Sequence, residues 1–244
     1  MTKADTQRIR NLILERSDQV IQLPPVTIVG KPSTISGTVV IDENRDGAYN
    51  QQDPGFPSLS VQLVEVRSGN VIQEVETDVN GDFIFRELRP QTYFLQYPTP
   101  TGYVLSFGAN TVSLRSMNLD ISSPDQTIST DPVGFRALPS TVSEKVFVDS
   151  NADGQRQVDE VGKSMVEIQL FLESSNGALD SIETNDNGAF NFVSLLPGRY
   201  YLLGVNPVGY RFSVGGNSTL DAQTGRSTVY PLRAGENLVI PAIA

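Results

Sequence analysis

Asp42-Glu43-Asn44-Arg45-Asp46-Gly47-Ala48-Tyr49-Asn50-Gln51-Gln52-Asp53 places oxygen-bearing side chains at positions one, three, five, nine and twelve of a twelve-residue stretch, with glycine at six. This is the spacing of an EF-hand calcium loop, with Asp in place of Glu at the end. The chemistry explains the spacing. Ca²⁺ is a hard cation that takes six to eight oxygens, so a tight loop turns alternate carboxylates and amides inward. Asp42, Asn44, Asp46, Asn50 and Asp53 are the candidate side-chain ligands, and the carbonyl of Ala48 is the candidate at position seven. Gly47 permits the sharp bend.

The pattern occurs twice. Asp149-Ser150-Asn151-Ala152-Asp153-Gly154-Gln155-Arg156-Gln157-Val158-Asp159-Glu160 offers Asp149, Asn151, Asp153, Gln157 and Glu160, with the carbonyl of Gln155 at seven. One such stretch is compatible with an Asx-rich turn, because Asp and Asn suit turns on their own. Two copies in register, each with an acid at twelve, point to calcium. The flanks are not helical. Thr38-Val39-Val40-Ile41 precedes the first loop and Val146-Phe147-Val148 the second. Both are β-branched or aromatic runs that read as strands. The loops therefore sit on a β-scaffold.

The two loops are offset by 107 residues (149 − 42), and the same offset carries through the subsequent chain. Thr77-Asp78-Val79-Asn80-Gly81-Asp82-Phe83-Ile84-Phe85 meets Thr184-Asn185-Asp186-Asn187-Gly188-Ala189-Phe190-Asn191-Phe192, and Pro100-Thr101-Gly102-Tyr103 meets Pro207-Val208-Gly209-Tyr210. The register weakens past Asn110 and Asn217. Within each unit, Val61/Leu63 and Ile168/Leu170 alternate with polar neighbours, and Phe83/Phe85 and Phe190/Phe192 lie two apart on one sheet face. Hairpin turns are expected at Ser68-Gly69-Asn70 and Ser175-Asn176-Gly177. Seven or so short strands in each unit suit a sandwich.

These motifs together resemble the SdrD B-like domain, the calcium-binding relative of the Cna B-type domain found in bacterial surface proteins. The resemblance rests on the D-x-N-x-D-G loop, T-D-x-N-G-x-Y-x-F, L-x-P-G-x-Y and P-x-G-Y, in order and twice, over roughly residues 36–244. Asn185 departs from the turn Asp provided by Asp78, Gln91 from the Gly provided by Gly198, and Glu144 from Gly37. The resemblance implies an all-β chain of two tandem Ig-like or prealbumin-like β-sandwiches, at residues 32–138 and 139–244, after an extension at 1–31. It further implies a bacterial cell-surface location and a spacer role, with Ca²⁺ as the bound ion. Cna B-type relatives carry a Lys–Asn isopeptide bond in some members. Lys145 and Asn237 are the candidate pair here, while Thr38 occupies the equivalent of Lys145 in the first unit.

Charge and composition narrow the classes of function. Lys and Arg number 18 and Asp and Glu 28, a net charge of −10, which disfavours nucleic acid and anionic membranes and favours cations. Residues 1–35 carry five basic and three acidic side chains, so the acidic excess falls on the two units. Carboxylates held close together repel, so each unit is expected to be less stable without a cation. The chain has neither Cys nor His, which excludes a disulfide framework, removes the usual proton shuttle and argues against zinc. No apolar run reaches membrane-spanning length, and no secretory signal is visible at the start. The carboxylates sit at metal spacing rather than as a glycosidase pair, and no Ser or Thr has a recognisable base, so an enzyme is not expected.

The N-terminal residues supply a last expectation. Ile9, Leu12, Ile13 and Arg16 lie at helix spacing. Pro25-Val26-Thr27-Ile28 then meets Pro132-Val133-Gly134-Phe135 at the same offset, and Pro132–Leu138 is expected to be the final strand of the first unit. By that logic Pro25–Gly30 is a final strand whose own domain is absent. It could fold back, be the remnant of a longer array, or add to a neighbouring molecule as a donated strand. Donation through residues 20–30 repeated head to tail gives a filament. The function classes left are therefore a calcium-stiffened spacer, a self-assembling subunit of a fibre or layer, and an adhesin.

Overall fold

The computed structural model describes residues 28–213, 218 and 220–244. The expected helix spacing near residue 12 and the first half of the orphan strand, residues 25–27, lie outside the described residues. The chain divides at Lys31 into two units, Met1–Lys31 and Pro32–Ala244. The second unit holds both repeats.

Sixteen strands and no helix are found among the described residues of this unit. The first nine are β1 (Ser33–Ile41), β2 (Ser60–Glu65), β3 (Val71–Glu76), β4 (Asp82–Leu88), β5 (Thr92–Gln96), β6 (Tyr103–Phe107), β7 (Leu119–Asp120), β8 (Thr127–Ser129) and β9 (Val133–Ala137). They form two sheets. In one, the order is β4-β1-β9-β6, with β8 also paired to β1; in the other it is β3-β2-β5-β7. The remaining strands are β10 (Ser140–Lys145), β11 (Glu167–Leu172), β12 (Ala178–Glu183), β13 (Ala189–Leu195), β14 (Gly198–Gly204), β15 (Tyr230–Leu232) and β16 (Asn237–Val239). They form sheets β13-β10-β16 and β12-β11-β14-β15; the second repeats the arrangement of β3-β2-β5-β7, while the first, among the described residues, lacks strands equivalent to β9 and β6.

Period-two alternation builds each core. Ile35 and Val39 of β1, Val61 and Leu63 of β2, Phe83 and Phe85 of β4, Leu95 of β5 and Phe135 of β9 pack into one cluster drawn from both sheets. Val142, Ile168, Leu170, Phe190, Phe192 and Leu202 do the same in the second repeat. Two sheets facing each other across one apolar layer are a β-sandwich. The paired phenylalanines meet edge to face, with centroids 5.8 Å apart in the first repeat and 5.9 Å in the second.

The β1 strand organises its sandwich. One edge pairs antiparallel with β4. The other takes β8 in parallel at Thr34–Ser36 and then β9 in parallel at Val39–Ile41. Asp131-Pro132 separates those two partners, and proline has no N–H to offer a ladder. The second repeat follows suit with β16 at Thr141–Ser143 and a bridge between Val146 and Ile243. Val146 and Phe147 thus enter isolated bridges where the sequence pointed to a continuous strand. Asn237 faces Thr141, and Lys145 lies four residues further along β10. At ~3.3 Å per residue that is too far for an isopeptide bond.

The equivalent of Thr127 opposite Thr34 is Asn237 opposite Thr141, an offset of 110 residues (237 − 127) in place of 107. Between Asn110 and these strands the offset reaches 111, with Asp120 opposite Thr92 and Pro231 opposite Arg199 (231 − 120), so the faded register is a four-residue lengthening of which one residue is then lost.

Candidate metal centres

The first loop follows β1 directly and the second follows β10 after Val146–Val148, and each closes through the carboxylate at position one. Asp42 accepts the N–H groups of Asp46 at 3.2 Å and Gly47 at 3.1 Å. Asp149 accepts those of Asp153 at 3.2 Å and Gly154 at 2.9 Å. The bend needs a positive φ, which Gly47 takes at 74° and Gly154 at 72°. The carboxylate at five then accepts the next N–H but one, Ala48 for Asp46 and Gln155 for Asp153. Side-chain amides gather on the same carboxylate. Asn44 and Asn50 donate to Asp46, and Asn151 and Gln157 to Asp153.

Position twelve closes the far side, and its length matters. Asp53 reaches back to the N–H of Asn50 at 3.0 Å. Glu160, one methylene longer, spans the N–H of Gln157 and that of Ser150, both at 2.9 Å. Asp42 is 1% exposed and Glu160 4%, so each loop keeps a carboxylate inside the protein. A buried anion needs compensation by charge or by several donors.

Two serines that local spacing does not single out complete the sites. Ser106 at the end of β6 donates to Asp42. Its counterpart Ser213 donates to Asp149 at 2.7 Å. The signal was legible, since 106 and 213 differ by the repeat offset, but serine is too common for that alone to count. The Ser213 hydroxyl, followed by the N–H groups of Gly154 and Asp153, holds the Asp149 carboxyl below the usual carboxylate range.

Among the described residues no three Asp or Glu side chains converge as a metal-binding group. A cation held here would therefore need amide and main-chain oxygens as well, which Ca²⁺ accepts and most transition metals do not favour. One atom tests the fit. The Oε1 of Gln157, at position nine of the second loop, is buried with no hydrogen-bond partner. An orphaned buried acceptor beside Asp153 is what a hard cation would satisfy, so the residues present fit calcium.

The Asp-x-Asn-Gly turns are built differently. Asp78 accepts the N–H groups of Asn80 and Asp82, and Asn185 accepts those of Asn187 and Ala189. The amide does the work of the carboxylate, so the turn geometry does not require a charge there.

The SdrD B-like domain model matches residues 33–132 and again 140–238. Serine-aspartate repeat-containing protein D of Staphylococcus aureus (strain Newman) is 27% identical over 205 residues, which is 82% of this chain and 15% of that protein. Bone sialoprotein-binding protein of S. aureus (strain MRSA252) is 28% identical over 185 residues, 74% of this chain and 16% of that one. The chain thus spans about 15% of the length of these relatives. The solved structure of the Bacillus anthracis TIE protein superposes with a TM-score of 0.52 at 16% identity, covering 88% of this chain and 34% of that one. That likeness concerns the fold alone.

Proposed function

We propose that this chain, which belongs to the SdrD B-like domain family, is a calcium-binding structural module of a bacterial cell-surface protein. Each repeat takes one ion in its twelve-residue loop, and the ions stiffen the tandem as a spacer. The observation that carries this reading is the orphaned Oε1 of Gln157 in a loop whose other oxygens sit at calcium spacing. Asp42, Asn44, Asp46, Asn50, Asp53 and the Ala48 carbonyl would hold one ion. Asp149, Asn151, Asp153, Gln157, Glu160 and the Gln155 carbonyl would hold the other. The bound ion supplies positive charge where each loop gathers carboxylates, and no chemical step is involved.

The test is thermal melting in calcium and in excess chelator. An ion that binds only the folded state adds RT ln(1 + [L]/Kd), roughly 4 kcal/mol at a thousandfold excess. The melting temperature is expected to fall by many degrees on chelation. Superimposable curves would refute structural calcium.

A second reading is favoured by Ile28 and Val29, which are 91% and 85% exposed. They belong to the segment that matches the start of β9, and we propose residues 20–30 as a strand that joins copies of the chain. Residues 20–27 lie outside the described residues. Sedimentation of the full chain in calcium, against a chain lacking residues 1–30, separates the readings. Association lost on truncation supports joining, and a monomer at high concentration refutes it.

A further inference from the structure

Leu138 bonds to both repeats, beside a close approach of Gly102 to Ala234. Leu138 donates its N–H to the carbonyl of Gly102 at 2.7 Å in the first repeat. Its own carbonyl accepts the N–H of Gly235 at 3.0 Å in the second. Pro139 follows, and then Ser140, whose hydroxyl donates to the Arg233 carbonyl at 2.7 Å. The joint is therefore short and bonded on both sides, which leaves little free backbone to bend.

The first calcium loop reaches this joint. Arg45, at position four, donates from Nη2 to the carbonyl of Ala137 at 3.2 Å, one residue before Leu138. Arg45 also lines a cleft of about 140 Å³ whose walls include Asp42, Pro54 and Tyr103 of the first repeat and Leu196 and Pro197 of the second. Arg45 holds a left-handed backbone, φ 60°. A residue with a Cβ adopts that conformation only when its surroundings impose it. Here the next N–H, that of Asp46, is gripped by Asp42 and by Asn44. The loop's closure thus sets the direction in which the arginine leaves it.

The second loop lacks this arm. Its position four is Ala152, with the same left-handed φ of 58°. The loop conformation therefore does not depend on the arginine side chain, and the side chain is free to serve something else.

We infer that Arg45 transmits ion binding in the first loop to the joint between the repeats. The inference deepens the calcium reading and rests on it. An ion at Asp42, Asn44, Asp46 and Asp53 fixes the backbone on both sides of Arg45. The guanidinium then holds the end of β9 and the wall of the cleft, and the relative orientation of the repeats narrows. With the loop open, Arg45 loses its direction, and the joint keeps only the Leu138 hydrogen bonds and the Gly102–Ala234 contact. The second loop has no such role at this joint.

Spin labels test this directly. The chain has no cysteine, so Ser68→Cys and Ser175→Cys, in the exposed hairpin turns of the two repeats, take one nitroxide each. The inter-label distance distribution is recorded with calcium and with chelator, and bound ions are counted by calorimetry in the same proteins. The expected result is a distribution that narrows with calcium in the parent, and in Asp153→Ala, but not in Asp46→Ala. Arg45→Ala should still bind two ions and yet lose the narrowing. Were Arg45→Ala to melt early, Arg45→Gln would carry the same comparison with the side-chain length kept. An arginine variant that binds two ions and narrows like the parent overturns the inference. A parent that binds two ions without narrowing overturns it too and leaves the calcium reading standing. A parent that binds none removes both.

Discussion

Ser213 donates its hydroxyl to Asp149 at 2.7 Å, across 64 positions of sequence. Ser106 does the same for Asp42 at the same separation. Each serine ends a stretch that leads away from the loop and returns, so the first carboxylate of each loop is oriented from a different part of the sandwich. Ser213→Ala should weaken ion binding at the second loop by roughly tenfold, the low end for a hydrogen bond to a charged group, and leave the first loop unchanged. It should also raise the Asp149 titration toward the ordinary value near ~4. The sign follows from the lowered folded pKa. The stabilisation Asp149 provides is present above the ordinary carboxylate range and is lost as pH falls through the lowered value. Carboxyl NMR titration of the calcium-free protein, with calorimetry of the second site, checks both.

Thr184 pins the segment beyond the second loop. Its hydroxyl donates to the Lys163 carbonyl at 2.7 Å and accepts the Val166 N–H at 3.0 Å. Thr77 makes the matching pair with Phe56 and Leu59. Both threonines are buried. Thr184→Val keeps the volume but strands a donor and an acceptor, at a cost of about 2–3 kcal/mol. Denaturant unfolding should show the loss, and Thr184→Ser should recover most of it.

Gly102 and Gly209 occupy equivalent turns with φ of 80° and 81°, yet their surroundings differ. A Cβ on Gly102 would lie 2.0 Å from the Ala234 carbonyl oxygen, whereas one on Gly209 meets nothing within 4 Å. Gly209→Ala should cost about 1 kcal/mol from the left-handed backbone alone. Gly102→Ala should in addition push the repeats apart at Leu138. The spin-label distance should therefore shift in Gly102→Ala and stay put in Gly209→Ala, with both chains folded by circular dichroism.

Much of this was readable in the chain. The alternation of Val61/Leu63 and Phe83/Phe85 predicts strands and an inward face because one sheet face is buried, and all four side chains lie in the first core. The final strand of the first repeat was expected at Pro132–Leu138 and runs from Val133 to Ala137. The loops were legible as candidates because calcium spacing is local. What was not legible is long-range. Nothing near Arg45 in sequence says that it reaches Ala137, 92 positions on. Nothing near Asp149 names Ser213. The change of offset from 107 to 111 and then 110 residues was visible only as a fading register. It became defined once Asn237 was seen opposite Thr141.

The central claim is one ion in each loop, and calorimetric titration of chelator-stripped protein with calcium tests it most directly. Two ions per chain are expected in the parent, one in Asp42→Ala, one in Asp153→Ala and none in the double variant. Absence of saturable binding in the parent, or two ions still bound in either single variant, would contradict it.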